Sequence, residues 1–306
     1  QKWIAARLKF VFGMDLHGDG IKNPMFGACK RYLDYRRGID ARFRDTGRAM
    51  SALFVQCDTG MNILNGDAAM GNTQTKQIID CVFGRHKHES TLGQGVLSSY
   101  GILSKGADVA SMQFALHYMF ENKDKLYAFV NNVYECLKPN GYLIGTCYDG
   151  GRVFEALSKV KHGESYVIKK DDSVLVSIEK QYDDKLMRLP DGEASLGMAI
   201  DVYQDSIGQK IREYLVNFEY FDEVMNNHGF RQLSNEDKKV MKLSDSVESF
   251  NELFKQMTFK IVNEKQRYGK ASQMTPDEKK LSYLNNYFVY KKKEIKTKSI
   301  KMVKTV

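Results

Sequence analysis

Ala107-Asp108-Val109-Ala110-Ser111-Met112-Gln113-Phe114-Ala115-Leu116-His117-Tyr118 is the stretch that decides the fold. Residues 107–112 form an apolar run that reads as a buried strand, and it runs straight into a polar and aromatic tip. A helical pattern over 122–137 follows, then Pro139-Asn140-Gly141 and a second apolar run over 141–148. Strand, helix, strand is the unit of an open α/β sheet, which presents ligand sites at the carboxyl edge of its strands. Here that edge holds an amide, an imidazole and a phenol within a few residues. Such a mixture suits recognition of a flat, polar ring better than hydride or acyl chemistry.

Working outward, residues 10–15 and 52–58 read as two further strands, the first ending in the carboxylate of Asp15. The spacing predicts a helix over 23–37 with Pro24 in its first turn. Residues 71–106 are rich in glycine and polar side chains and read as an irregular excursion. This alternation argues for a mostly parallel sheet. After Gly150 the character changes. A short helix over 153–160 leads to alternating runs over 164–169 and 173–180, joined by Lys170-Asp171-Asp172, which is a hairpin signal. Further β-like runs cover 198–203 and 210–216, and an amphipathic helix over 218–228 ends at Gly229. Helical patterns over 246–261 and 276–285 precede a last strand around 287–290.

Composition narrows the class. The 306 residues (35.1 kDa) can form one large domain or a domain with a substantial insertion, and 42% hydrophobic with 27% charged residues is ordinary for a globular protein. No apolar run approaches the roughly 20 residues of a membrane span, and no signal peptide is visible. Cys29, Cys57, Cys81, Cys136 and Cys147 are odd in number and scattered, so they read as reduced thiols of an intracellular protein. Cys81, His86 and His88 have no fourth ligand at a plausible spacing, and no metal site is expected. The net charge of +8 and pI near 9.0 favour an anionic partner such as nucleic acid, although part of the excess sits in the basic tail after Tyr290.

Few residues are poised for chemistry. Asp15, before His17-Gly18-Asp19-Gly20, stands where an acidic strand end can accept both hydrogens of a ribose diol, or can simply cap a helix. Asp67 in Asn65-Gly66-Asp67-Ala68 is similar in kind, within ordinary turn chemistry. Gly93-Gln94-Gly95 mimics a phosphate loop without a strand ahead of it. No nucleophile–histidine arrangement and no paired-carboxylate hydrolase pattern appears.

Taken together, the strand-end Asp15, Ala28-Cys29-Lys30-Arg31-Tyr32, Asp67, Gln113-Phe114-Ala115-Leu116-His117-Tyr118, Gly145-Thr146, Glu213-Tyr214-Leu215-Val216 and Asn286-Tyr287-Phe288-Val289-Tyr290-Lys291-Lys292 resemble the mRNA cap (guanine-N7) methyltransferases. Among these, the likeness is greatest to the methyltransferase part of capping enzymes of large DNA viruses. It spans residues 1–293, and its specific signals are Gln-Phe-x-x-His-Tyr and Glu-Tyr-Leu-Val.

The resemblance implies a Rossmann-like, class I S-adenosylmethionine-dependent α/β fold. It implies a cofactor-binding core over 1–150, a β-rich cap-side insertion over 151–216, and C-terminal helices with a last strand over 217–293, ahead of a basic tail over 294–306. Lys2, Asp15, Asp67 and Gln113 would bind S-adenosylmethionine. Arg31, His117, Tyr118, Glu213 and Tyr287 would bind the cap, with Glu213 accepting from the guanine N–H edge and Tyr287 closing the pocket. No residue would be a proton shuttle, since guanine N7 carries a lone pair and the sulfonium methyl is already activated. Rate enhancement then comes from proximity and in-line orientation.

The family's first strand and glycine-rich loop would precede Gln1. The expectation is therefore a truncated piece of a longer reading frame, its sheet missing the first strand and its cofactor affinity poor when alone. The implied partner is the capped 5′ end of RNA (GpppN), with guanylyltransferase and triphosphatase domains in the same full-length chain. The implied location is virion or host cytoplasm for a viral protein and nucleus for a cellular one. The competing readings are a methyltransferase for another substrate and a non-catalytic domain that binds capped RNA or a partner.

Overall fold

The computed structural model describes residues 3, 6–38, 49–85, 91–258 and 270–294. The chain divides into two compact units, residues 1–106 and 107–306. The segment 1–150 thus contributes to both.

In the first unit, β1 (Phe10–Asp15) and β2 (Ser51–Gln56) pair in parallel, from Phe10 opposite Ser51 to Asp15 opposite Gln56. The crossover between them carries the short helix α1 (Gly18–Lys22) and α2 (Ala28–Gly38). Pro24 does not open a helix. The Asn23 side chain instead accepts the amides of Met25 (2.9 Å) and Phe26 (3.2 Å), which makes a turn and delays the helix to Ala28. The segment expected to be irregular contains a full helix, α3 (Thr73–Phe83). Asn72 caps it by accepting Thr75 N–H, and Gly84 stops it at φ +71°. A single turn, α4 (Gln94–Leu97), begins after Gly93, and among the described residues the element before it is the helix α3, not a strand.

In the second unit, β3 (Ala107–Gln113) leads through a 3-10 turn (Leu116–Glu121) into α5 (Lys123–Cys136) and then β4 (Leu137–Tyr148), which lies parallel to β3. Next come α6 (Gly150–Ala156) and the antiparallel sheet of β5 (Ser165–Lys170), β6 (Ser173–Lys180), β7 (Ala199–Gln204) and β8 (Lys210–Tyr214), joined in sequence order. The chain returns through α7 (Phe218–Asn227), β9 (Phe230–Arg231), α8 (Asn235–Met241), β10 (Val247–Ser249), a helical stretch over 250–258 and α9 (Pro276–Tyr283) to β11 (Asn285–Lys292).

The main sheet of this unit runs in the order β10-β11-β4-β3, with β9 also on β11. It is mixed. Parallel pairing survives where a helical crossover joins the strands, and β11 enters antiparallel to β4. The whole is α/β and Rossmann-like.

β11 is buried along almost all its length. Phe288 and Tyr290 project from it against α7, where the Phe221 ring meets them edge-on at 5.7 and 5.4 Å. Leu116, Phe120, Leu126, Val130 and Leu143 complete this core. Each such side chain contributes roughly 1.5–3 kcal/mol by leaving water. Gly145 makes the close approach possible, because a Cβ there would overlap the Phe288 ring and the Met112 carbonyl. No helix among the described residues is long and apolar enough to cross a membrane.

Candidate functional site

Two groups of the expected site residues can be placed, one in each unit. In the first unit, exposed carboxylates sit at the carboxyl ends of both parallel strands. Asp15 closes β1, where its Oδ1 accepts the His17 amide at 2.8 Å. A Cβ at Gly20 would lie 2.9 Å from Asp15 Oδ2, so glycine keeps that oxygen accessible. Asp67 opens a 3-10 turn (Asp67–Ala69) whose Ala68 carbonyl accepts Asp58 N–H just beyond β2. Its Oδ2 accepts Asn65 Nδ2 at 2.7 Å. Between them Cys57 is an inert thiol, pushed up to about 12 by burial and then by the charges of Asp58 and Asp15. Arg31 lies exposed on α2. Lys2 lies outside the described residues, as do His86 and His88.

In the second unit the polar-aromatic tip forms a compact constellation. Gln113 ends β3 with its side chain held on both sides, Oε1 accepting Thr146 Oγ1 (3.0 Å) and Nε2 donating to Ser111 Oγ (3.1 Å). Phe114 then takes a left-handed backbone, φ +53°, which a bulky residue rarely adopts. Its amide donates to the Thr146 carbonyl at 2.7 Å, and its ring is left more than half exposed at the end of the sheet. A strained, exposed aromatic belongs to the short list of features that cluster at ligand sites.

The kink turns the chain into the 3-10 turn, which buries His117 to 4% exposure and sets the Tyr118 ring 4.3 Å from it at 71°. Glu213 arrives from β8. Alternation turns Lys210 and Arg212 outward, where Arg212 pairs with Asp201. Glu213 goes to the inner face opposite Ile200 and is 7% exposed.

Glu213 Oε2 lies 3.6 Å from His117 Nδ1. That is ion-pair reach, but burial works against both charges. It pushes Glu213 up to about 8 and His117 down to about 3, so at neutral pH the two are mostly uncharged. Among the described residues, neither that oxygen nor either imidazole nitrogen has a hydrogen-bond partner. Three orphaned polar atoms meeting in one buried spot are costly and call for a ligand that supplies partners.

Tyr148, at the carboxyl end of β4, completes the wall. Its hydroxyl accepts Gln204 Nε2 at 2.6 Å, and burial followed by the nearness of Glu213 raises its phenol. The sequence reading quoted Phe114 within its motif but gave it no role, and it did not single out Tyr148 or Gln204. For the first two, position at the carboxyl end of a parallel strand was the available signal.

Tyr287 belongs elsewhere. It projects from the β11 face that carries Val289, packs with Leu233 and Val289, and donates its hydroxyl to the Asp245 carbonyl at 3.1 Å. His117, Tyr118 and Glu213 are brought together; Tyr287 is not with them. Beside Tyr287 and Gln113 lies an apolar cavity of about 370 Å³, roofed by Met241, Leu243 and Leu253.

The mRNA (guanine-N(7))-methyltransferase domain family matches residues 1–293 of the chain. The "Probable mRNA-capping enzyme" of Acanthamoeba polyphaga mimivirus is 27% identical over 232 residues, covering 72% of this chain and 17% of that protein. The mRNA cap guanine-N(7) methyltransferase of Schizosaccharomyces pombe is 28% identical over 120 residues, covering 37% of this chain and 29% of that protein. The chain therefore spans less than a third of the length of either relative. Among solved structures, an S-adenosylmethionine-dependent methyltransferase from Clostridium acetobutylicum aligns at a TM-score of 0.37 and 12% identity, covering 96% of this chain and 88% of the other.

Proposed function

We propose, because this chain belongs to the mRNA (guanine-N(7))-methyltransferase domain family, that it transfers the methyl group of S-adenosylmethionine to N7 of the guanine in a 5′ mRNA cap. The observation that carries this reading is the buried His117–Glu213 spot with its three unpartnered polar atoms. A guanine edge matches it. The N1–H and N2–H donors point one way, toward a carboxylate, and O6 can accept one N–H from a neutral imidazole. Adenine offers no such edge, and a wrong base would leave Glu213 unpaired in a dry pocket, which is how such sites discriminate. The Phe114 and Tyr118 rings supply stacking surface, worth roughly 1–3 kcal/mol per base.

Asp15 and Asp67 are assigned to the cofactor's ribose and adenine, Gln113 to its methionine moiety and Arg31 to the cap phosphates. The cofactor would supply an electrophilic methyl. This chain's residues would orient the base, exclude water and leave N7 free. Neither His117 nor Glu213 needs to move a proton at N7, since the attacking atom is a lone pair and orientation provides the rate enhancement. The match to a stretch of a much longer capping enzyme supports guanylyltransferase and triphosphatase domains in the same polypeptide.

The test is transfer of radiolabelled methyl from S-adenosylmethionine to GpppA-capped RNA by the full-length protein. Transfer to the capped RNA and not to ATP is expected, with loss in His117→Ala and Glu213→Ala. Cap binding without transfer would establish a non-catalytic binding domain instead.

A further inference from the structure

The same pocket implies a change of protonation on binding, an inference that rests on reading it as the guanine site. Among the described residues, the groups facing Glu213 come from three elements: His117 from the 3-10 turn, Cys147 and Tyr148 from the end of β4, and Ile200 from β7. None of these is a cation at neutral pH, and the neighbouring Arg212 is turned to the outer face and paired with Asp201. At 3.6 Å the imidazole does not hydrogen-bond to Oε2. A carboxylate buried with neither donor nor counter-charge is unfavourable, and the neutral acid is the stable form.

We propose that Glu213 holds its proton in the empty pocket and surrenders it to solvent when guanine binds, so that capture of the base releases one proton. A protonated carboxyl presents its own O–H toward the guanine N–H donors. The carboxylate can instead accept N1–H and N2–H together, and those two bonds replace the missing donors. His117 cannot be the source, because burial keeps it neutral down to about pH 3. Cys147 and Tyr148 are raised by burial and stay protonated on both sides of the step. With Glu213 titrating at about 8, roughly 0.9 proton should leave per guanine bound at pH 7, and affinity should rise about tenfold per pH unit below that value.

The experiment is calorimetric binding of GpppA to the full-length protein at pH 7 in two buffers of different ionisation enthalpy, with affinities followed from pH 6 to 8. The bridging triphosphate of GpppA does not titrate in this range. Release of close to one proton, with about tenfold tighter binding at pH 7 than at pH 6, is expected. Glu213→Gln should show weak, pH-independent binding without proton release. Binding by the wild type with no proton release and a flat pH profile overturns the proposal alone. Absence of GpppA binding at every pH overturns the reading of the pocket, and the proposal with it.

Discussion

Glu213→Gln should make the protein more stable at alkaline pH while impairing the pocket. The unfolded carboxyl titrates at its ordinary 4.5, whereas the folded one holds its proton until about 8. Between these values the unfolded state binds fewer protons, so stability present below pH 4.5 is lost as pH rises toward 8. At 1.36 kcal/mol per pH unit, the interval from pH 5 to 8 costs the wild type on the order of 4 kcal/mol. Glutamine keeps the shape and has no such term. His117 works in the opposite direction, because its contribution is present above 6.5 and lost as pH falls toward 3. It is common to both proteins and cancels in their difference. For a unit of this size each kcal/mol is worth roughly 2–4 °C, so the variant should gain about 8–16 °C on the wild type between pH 5 and pH 8. Thermal unfolding followed by circular dichroism at half-unit pH steps measures this. A gap between the two proteins that stays constant from pH 5 to 8 would refute the argument, since Glu213 would then be ionised or solvated in the folded state.

Other perturbations separate fold from site. Phe114→Gly removes a ring and relieves the φ +53° backbone, so it should leave the melting temperature unchanged or slightly higher while weakening cap binding by roughly 1–3 kcal/mol in a fluorescence titration. Gly145→Ala should lower the urea midpoint by the equivalent of about 1–3 kcal/mol, because its methyl would overlap the Phe288 ring and the Met112 carbonyl; a midpoint within experimental error of wild type would contradict that packing. Asp15→Asn should weaken S-adenosylmethionine binding about tenfold or more, the scale of one charged hydrogen bond, with cap affinity in equilibrium dialysis unaltered.

The strands that position the pocket were legible because their patterns are local. Residues 107–112 read as a strand and one forms there, although it is not buried as expected, since no residue of Ala107–Gln113 is buried and Val109 is 45% exposed. The hairpin over 164–180 forms about Lys170-Asp171-Asp172, with a bulge between Ile168 and Lys169. The helix Thr73–Phe83 was not read, although Asn72 and Gly84 bracket it, because Thr-Gln-Thr-Lys-Gln fills its first turns and only the far end is apolar. The strand Val247–Ser249 lay inside an expected helix, and its partner Tyr287 stands some 40 positions later, beyond any local pattern. Along β8, Lys210-Ile211-Arg212-Glu213-Tyr214 puts a charge on the inward phase of the alternation. That breach of a folding rule is what a binding residue looks like in sequence. Nothing comparable marks Tyr287, whose hydroxyl could have faced either side of the sheet until Asp245 was known to accept it.

The position of β11 has a bearing on how the protein is made. This strand is late in sequence yet sits between β4 and β10, and Asn286 reaches back 137 positions to hydrogen-bond Asp149. At roughly 5–20 residues per second, a ribosome needs about 7–29 s to travel from residue 148 to residue 292. Through that interval the β4 edge is unpaired and its apolar face waits for Phe288 and Tyr290, while the β5–β8 meander, with its short-range pairings, can close beforehand. The nascent chain therefore passes through a stage with one finished sheet and one open one. Holding the open edge apart from other chains in those seconds is the task this topology sets for the cell's chaperones.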